Sequence, residues 1–202
     1  MNYAKVIDFV KEQTTVNGRP PNYPFRSRFE HTMRVYRWAI KLQSKLGGDL
    51  DIIVLAALLH DVGWDGVRPH GEVGAEIAVN YLDSLGVDPQ KIAKIGEIIM
   101  IHEEKDTDAD LSLECRIVMD ADLLDEVGAI SVLWDSMATA IEDEASYKRA
   151  YYRIKNFYKI NTSSANDIKR AIMEYGAVSA SYCSDGSFNN STTYYNSTTA
   201  AY

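Results

Sequence analysis

The amino-acid sequence predicts an all-α fold. Apolar residues recur at spacings of three and four through about residue 160, the period of an amphipathic helix. The densest clusters of glycine and proline fall between those stretches. Few runs alternate between apolar and polar in the way that makes a half-buried strand, and there is no internal repeat.

The elements follow in chain order. "NYAKVIDFVKEQT" carries Val6, Phe9 and Val10 at helical spacing, and Gly18, Pro20, Pro21 and Pro24 then break it. "RFEHTMRVYRWAIKLQSKLGG" is a long helix whose apolar side is drawn from Met33, Trp38, Ala39, Ile40 and Leu42. Gly47-Gly48 ends it through a left-handed cap. "LDIIVLAALLHDVG" is apolar on all sides, as a buried central helix is, and Gly63 stops it. A loop, "WDGVRPHG", leads to the helix "GEVGAEIAVNYLDSLG", which ends at Gly86. "DPQKIAKIGEIIMIHEE" begins with Asp88 as N-cap and Pro89 at the first helical position. "LSLECRIVMDADLLDEVG" is a further helix, and a last pair is expected at roughly 128–142 and 144–160. Near residue 161 the composition changes. No Lys or Arg follows Arg170, and the Ser/Thr/Asn/Tyr-rich end reads as a tail, a weak hairpin or a disordered stretch. The expected division is a helical domain over 1–160 and a C-terminal tail over 161–202.

The 202 residues, 46% hydrophobic and 25% charged, suit one globular domain with a real core plus an appendage. No apolar run approaches membrane-spanning length. The charged, amphipathic start lacks a signal-peptide h-region, so the expected location is cytoplasmic. Cys115 and Cys183 are too few for a disulfide framework or a zinc–thiolate motif, and Cys115 reads as a small core residue. With 29 acidic against 21 basic residues the net charge is −8, which disfavours duplex nucleic acid as a partner. A small phosphorylated molecule is compatible with that charge if a divalent cation supplies positive charge locally.

The chain has four histidines, His31, His60, His70 and His102, and each falls on a predicted helix or at a helix boundary. Asp61 follows His60 directly, and Asp122 lies on the next helix after His102. Packed antiparallel helices can gather such side chains into one pocket. Imidazole together with carboxylate suits Mn, Fe, Co, Ni or Zn. Adjacent residues on a helix project about 100° apart, so His60 and Asp61 share one ion only if it sits near the wall between them. Taken singly, each residue has an ordinary role as a cap, a dipole partner or a hydrogen-bonded boundary residue. The order H…HD…H…H…D on successive helices is what makes a metal site the better reading.

His31, the His60-Asp61 pair and Asp122 resemble the H…HD…D signature of the HD-domain superfamily, with "FEHTMRVYRWA", "LAALLHDVGW" and "IVMDADLLDEVGAI" as the local text. The resemblance covers about residues 25–135 and implies a helical bundle with a metal site between central helices. It also implies a phosphohydrolase, acting on a nucleotide or another small phosphorylated substrate through metal-activated water attack on phosphorus. "RPHGEVGAEIA" and "IIMIHEE" are similar to the segments that add His70 and His102 as ligands of a second ion. The implied metal ligands are His31, His60, Asp61 and Asp122, with His70 and His102 for a second metal. His60, Asp61, His70 and His102 are the implied catalytic residues, and in a one-metal site His70 and His102 would instead bind phosphate or exchange protons. No "G-Y-P" segment follows His102, which sets the chain apart from the cyclic-dinucleotide phosphodiesterase branch.

Arg34, one turn after His31, and Arg68, between the HD pair and His70, are the candidates for substrate phosphate, whereas Arg28 reads as a surface residue. Glu72, Glu103 and Glu104 are candidate partners that would fix histidine tautomers. Two other readings stay open: a di-iron HD-fold oxygenase, and a metal-bound module that senses a nucleotide without turning it over. The segment "IKRAIMEYGAVSASYCSDGSFNNSTTYYNSTTAAY" resembles part of a papain-like cysteine peptidase. It carries neither a nucleophile in that family's context nor a following histidine, so no peptidase activity is expected.

Overall fold

The computed structural model describes residues 2–17, 27–64, 68–105, 110–126, 148, 151 and 159–170. Those residues form six α-helices and a further helical run over 163–170. They are α1 (Tyr3–Asn17), α2 (Arg28–Leu46), α3 (Leu50–Leu59), α4 (His70–Ser84), α5 (Pro89–Ile101) and α6 (Leu113–Asp125). The all-α expectation holds. The helix pair expected at 128–142 and 144–160 falls almost wholly outside the described residues, as does everything after residue 170.

The central helix is α3. Every residue from Ile52 to Leu59 is buried, with α2, α5 and α6 packed around it. Its apolar surface on all sides is stable only because neighbouring helices cover it all round. Asp49 caps its N-terminus by accepting from the Asp51 and Ile52 amides. In α2 the buried face is Val35, Trp38, Ala39 and Leu42, whereas Ile40 is exposed. The expectation for Ile40 fails because consecutive residues turn by about 100°, so Trp38, Ala39 and Ile40 cannot all face one core. Ser27 caps α2 by accepting from the Glu30 amide, the first half of a capping box. Asp88 and Ser112 cap α5 and α6 in the same way, and Cys115 is buried as expected.

Gly47 and Gly48 both take positive φ, 81° and 93°, which lets the chain reverse from α2 into α3. Gly63 works differently, through close approach. A Cβ there would lie 2.1 Å from the Gly74 amide nitrogen and 2.6 Å from the His70 carbonyl oxygen. The turn after α3 thus rests directly on the first turns of α4. The core also extends past residue 161. Asp120 of α6 accepts from the Asn161 and Thr162 amides, each at 2.7 Å, and Ala165 is fully buried.

Candidate metal centre

Helix α3 ends one residue before the histidine-aspartate pair. His60 is its C-cap, and residues 60–63 turn through i→i+3 hydrogen bonds, Val62 to Leu59 and Trp64 to Asp61. Asp61 sits in this tightened turn, and both its oxygens reach inward. Its Oδ2 lies 3.3 Å from His60 Nε2 and 3.4 Å from His31 Nε2. Its Oδ1 lies 3.2 Å from His70 Nε2 and 4.0 Å from His102 Nε2. Asp122 Oδ1 approaches His31 Nε2 to 3.2 Å and His60 Nε2 to 4.0 Å. All six side chains of the H…HD…H…H…D set meet in one place. Three helices and two helix-end turns deliver them: His31 from the first turn of α2, His60 and Asp61 from the turn after α3, His70 from the start of α4, His102 from the C-cap of α5, Asp122 from α6.

The four imidazoles share one orientation. His60 Nδ1 lies 2.9 Å from the Ala57 carbonyl, and His102 Nδ1 lies 2.6 Å from the Ile99 carbonyl. His31 Nδ1 is 2.8 Å from Asp125 Oδ2, and His70 Nδ1 is 2.8 Å from Glu103 Oε1. Those oxygens only accept, so each Nδ1 carries the hydrogen and donates it. In the neutral rings the lone pair is then on Nε2, and every Nε2 is turned toward Asp61. Burial, with the charges of His60 and Lys105, pushes His102 down to about 3, so it is neutral. The His102 Nε2 lone pair thus faces Asp61 Oδ1 in a site where His60, Asp61 and His102 are almost fully buried. Acceptors buried against acceptors are costly unless a cation sits between them.

The donor set fits such a cation. Ligand atoms about 2.0–2.2 Å from a common centre lie roughly 3–3.5 Å apart, or slightly more when the polyhedron is open. His31 Nε2 and His60 Nε2 lie 3.3 Å apart and 3.2 to 4.0 Å from Asp61 Oδ2 and Asp122 Oδ1. A second grouping, His60, Asp61 and His102, also has its ligand atoms within 4.8 Å of one another. His31 shows the same demand for positive charge. Burial lowers its pKa, but hydrogen bonds to Asp122 and Asp125 overcome that and raise it to about 10. A divalent ion on Nε2 answers the same carboxylates. Burial alone would raise Asp61 and Asp122. Instead the charges of His60 and Arg28 beside Asp61, and of Lys105 and His31 beside Asp122, hold both well below the usual carboxylate range.

Three features go beyond the sequence candidates. Asp125 fixes the His31 tautomer; it is the last aspartate of "DADLLD", three residues after Asp122, where a helix brings both carboxylates to one face. Lys105 is buried, adopts a positive φ of 49° and hydrogen-bonds Asp122 Oδ2. Arg28, read from sequence as a surface residue, instead reaches Asp61 Oδ2 at 2.7 Å. It does so because it opens α2 directly over the turn that carries Asp61. Arg34, a candidate for substrate, spends Nε and Nη2 on the two oxygens of Asp125, at 2.7 and 3.0 Å. Arg68 is exposed. Of the three glutamates, Glu103 holds a histidine and also caps α4 by accepting from the Gly71 amide, whereas Glu72 and Glu104 are exposed.

A family model for the HD domain matches residues 28–126, which include all six of these side chains. Among solved structures, a predicted HD-superfamily hydrolase from an uncultured Thermotogales bacterium is 27% identical; the match covers 86% of this chain and 92% of that one, with a TM-score of 0.55. An HD-superfamily hydrolase from Bacillus thuringiensis is 25% identical over 91% of this chain and 97% of its own, with a TM-score of 0.66. YpgQ of Bacillus subtilis, solved in complex with ADP, shares the fold at 20% identity, with 94% and 98% coverage and a TM-score of 0.68. No curated protein sequence matches. The helical bundle, the convergent histidines and the family match agree on one reading: residues 28–126 match the HD domain.

Proposed function

We propose that the protein is a metal-dependent phosphohydrolase acting on a small phosphorylated molecule, a nucleotide first among them. One observation carries the reading: four histidines spend Nδ1 on fixed oxygen acceptors and aim Nε2 at a single aspartate. That arrangement keeps the proton off the atom that binds metal, the usual role of the partners behind metal-ligating histidines. His31, His60, Asp61 Oδ2 and Asp122 hold one divalent ion, of the Mn, Fe, Co, Ni or Zn class. His70 and His102, whose Nε2 atoms face Asp61 Oδ1, would hold a second. Ions bound there supply a lowered pKa for bound water and a Lewis acid for a phosphoryl oxygen.

The chain's own residues do the rest. The apolar α3 fixes the position of His60 and Asp61, Asp125 and Glu103 hold the rings of His31 and His70, and Lys105 neutralises the outer oxygen of Asp122. The resulting low-exposure site excludes water from its inner face, which strengthens every charge interaction in it. Arg34 acts through Asp125 on His31, and Arg68 remains a candidate for substrate phosphate. The nucleotide assignment is supported by the ADP found with YpgQ, a protein of the same fold.

The test is a panel of nucleoside mono-, di- and triphosphates and sugar phosphates, assayed with Mn- or Co-loaded protein with and without oxygen. Oxygen-independent release of phosphate or pyrophosphate, lost in Asp61→Ala, is the expected result. Product that forms only with oxygen would favour a di-iron oxygenase. Nucleotide binding with no turnover would favour a sensing module.

A further inference from the structure

Three cations contact the carboxylates of the site, and they are not equivalent. Lys105 is buried on the outer oxygen of Asp122. Arg34 is locked in a two-point pair with Asp125, behind His31. Arg28 alone combines contact with a central ligand and exposure. Its Nη1 donates to Asp61 Oδ2 at 2.7 Å, while 30% of the side chain remains accessible against 3% for Asp61. Trp64 holds the guanidinium from one face, with the ring centroid 4.8 Å from Cζ. Both ends of the clamp are anchored in backbone structure. Arg28 opens α2 and its carbonyl accepts from the buried Thr32 hydroxyl; the Trp64 amide donates to the Asp61 carbonyl.

A guanidinium has five N–H donors in a rigid fork. Among the described residues, Asp61 is the one hydrogen-bond partner of the Arg28 guanidinium. A carboxylate oxygen has a second lone pair, so Asp61 Oδ2 can accept from Arg28 and still ligate an ion. The other exposed member of the cluster is His70, at 19%. A ligand arriving from solvent therefore meets Arg28 beside the carboxylate that the metal reading makes central.

We propose that Arg28, clamped between Trp64 and Asp61, binds the phosphoryl group of the substrate next to the metal centre. The proposal rests on the metal reading of Asp61. It assigns to Arg28 the role that sequence spacing suggests for Arg34, and it makes a tetrahedral oxyanion with two or more free oxygens the chemical class recognised.

The experiment uses the full chain loaded with Mn, and the probe is inorganic phosphate. Metal content is measured first, then phosphate affinity by calorimetry, for wild type, Arg28→Met, Arg28→Lys and Trp64→Phe. Arg28→Met should keep its metal and its circular dichroism and bind phosphate about 10- to 100-fold more weakly, the loss of a charge-assisted hydrogen bond. Arg28→Lys should recover part of that loss, because it restores charge without the fork. Trp64→Phe, which keeps a ring but a weaker one, should weaken phosphate by about two- to fivefold. Unchanged phosphate affinity in folded, metal-loaded Arg28→Met would overturn the proposal, as would metal-loaded wild type that binds no phosphate. Loss of metal in Arg28→Met would overturn it as well, by assigning Arg28 to the metal centre itself. Wild type that takes up no divalent ion would instead refute the metal reading, so the two failures are distinguishable.

Discussion

The two ends of α3 carry polar clusters of opposite character. At the N-terminal end, Asp49 accepts from two amides and from Lys91, Asp51 accepts from Tyr3 and Lys91, and Glu114 accepts from the Asp49 amide. Each of these carboxylates meets a donor, and Asp49, Asp51 and Lys91 are about a third exposed. At the C-terminal end, His60 and Asp61 are almost fully buried, and four histidine Nε2 atoms converge on the two oxygens of Asp61. One end is complete with protein donors alone. The other gathers ligand atoms in a geometry that could hold a metal ion. Polar clusters on a buried helix thus separate into fasteners and sites by whether donors and acceptors balance.

The largest effect that would break this contrast is at Asp122. Asp122→Ala removes a proposed ligand and leaves Lys105 buried without its partner, a change that costs about 3–5 kcal/mol. Loss of metal and turnover, with a matching fall in denaturant midpoint, is expected. A variant of full stability would mean that the pair is not a buried one. Next comes Gly63→Ala. Its Cβ would meet the Gly74 amide nitrogen at 2.1 Å, which pushes α4 and His70 away from Asp61. We expect about 1–3 kcal/mol of destabilisation from overpacking, and metal affinity falling with it; a crystal structure with His70 in place would contradict this.

Asp125→Asn sharpens the comparison more gently. It keeps the shape but weakens the hold on His31 Nδ1, and changes of this kind cost about 10- to 100-fold in metal affinity. Calorimetric titration reads it, with thermal stability as the control.

The smallest effect belongs to the other end. Lys91→Met should lower stability slightly and leave metal affinity untouched. Burial tends to raise the Asp49 pKa, but Lys91 and two amides outweigh it, and Tyr3 and Lys91 lower Asp51. Because both folded-state values are depressed, the stability they give is present above about pH 4 and lost as the pH falls through the folded values. Acid titration of wild type against Lys91→Met should therefore converge at low pH. A constant gap down to the acid transition would show that the clasp is not electrostatic.

Much of this was legible in the residues themselves. Period, caps and breaks sufficed for α1 to α6, since Asp49, Asp88 and Ser112 act through contacts two or three residues away. The six metal-competent side chains were legible because histidine is scarce here and each one sits at a helix boundary. Arg28, Lys105 and Asp125 were harder. The reach of Arg28 depends on where a turn places Asp61, thirty-three residues on. Lys105 depends on a left-handed backbone at a non-glycine residue, which no local pattern signals. Arg34 lies on the face expected for it, but its fork is met by a carboxylate of the same site. Partner choice among several charges at one locus is a tertiary property, and spacing along one helix does not determine it.

The central claim is that the inward Nε2 atoms and Asp61 together hold divalent ions. Its most direct test is the stoichiometry of Mn or Co binding, by titration and elemental analysis, in wild type and Asp61→Ala. Two ions per chain are expected in wild type and none held tightly in Asp61→Ala. Wild type that binds none, or Asp61→Ala that retains the full complement, would contradict it.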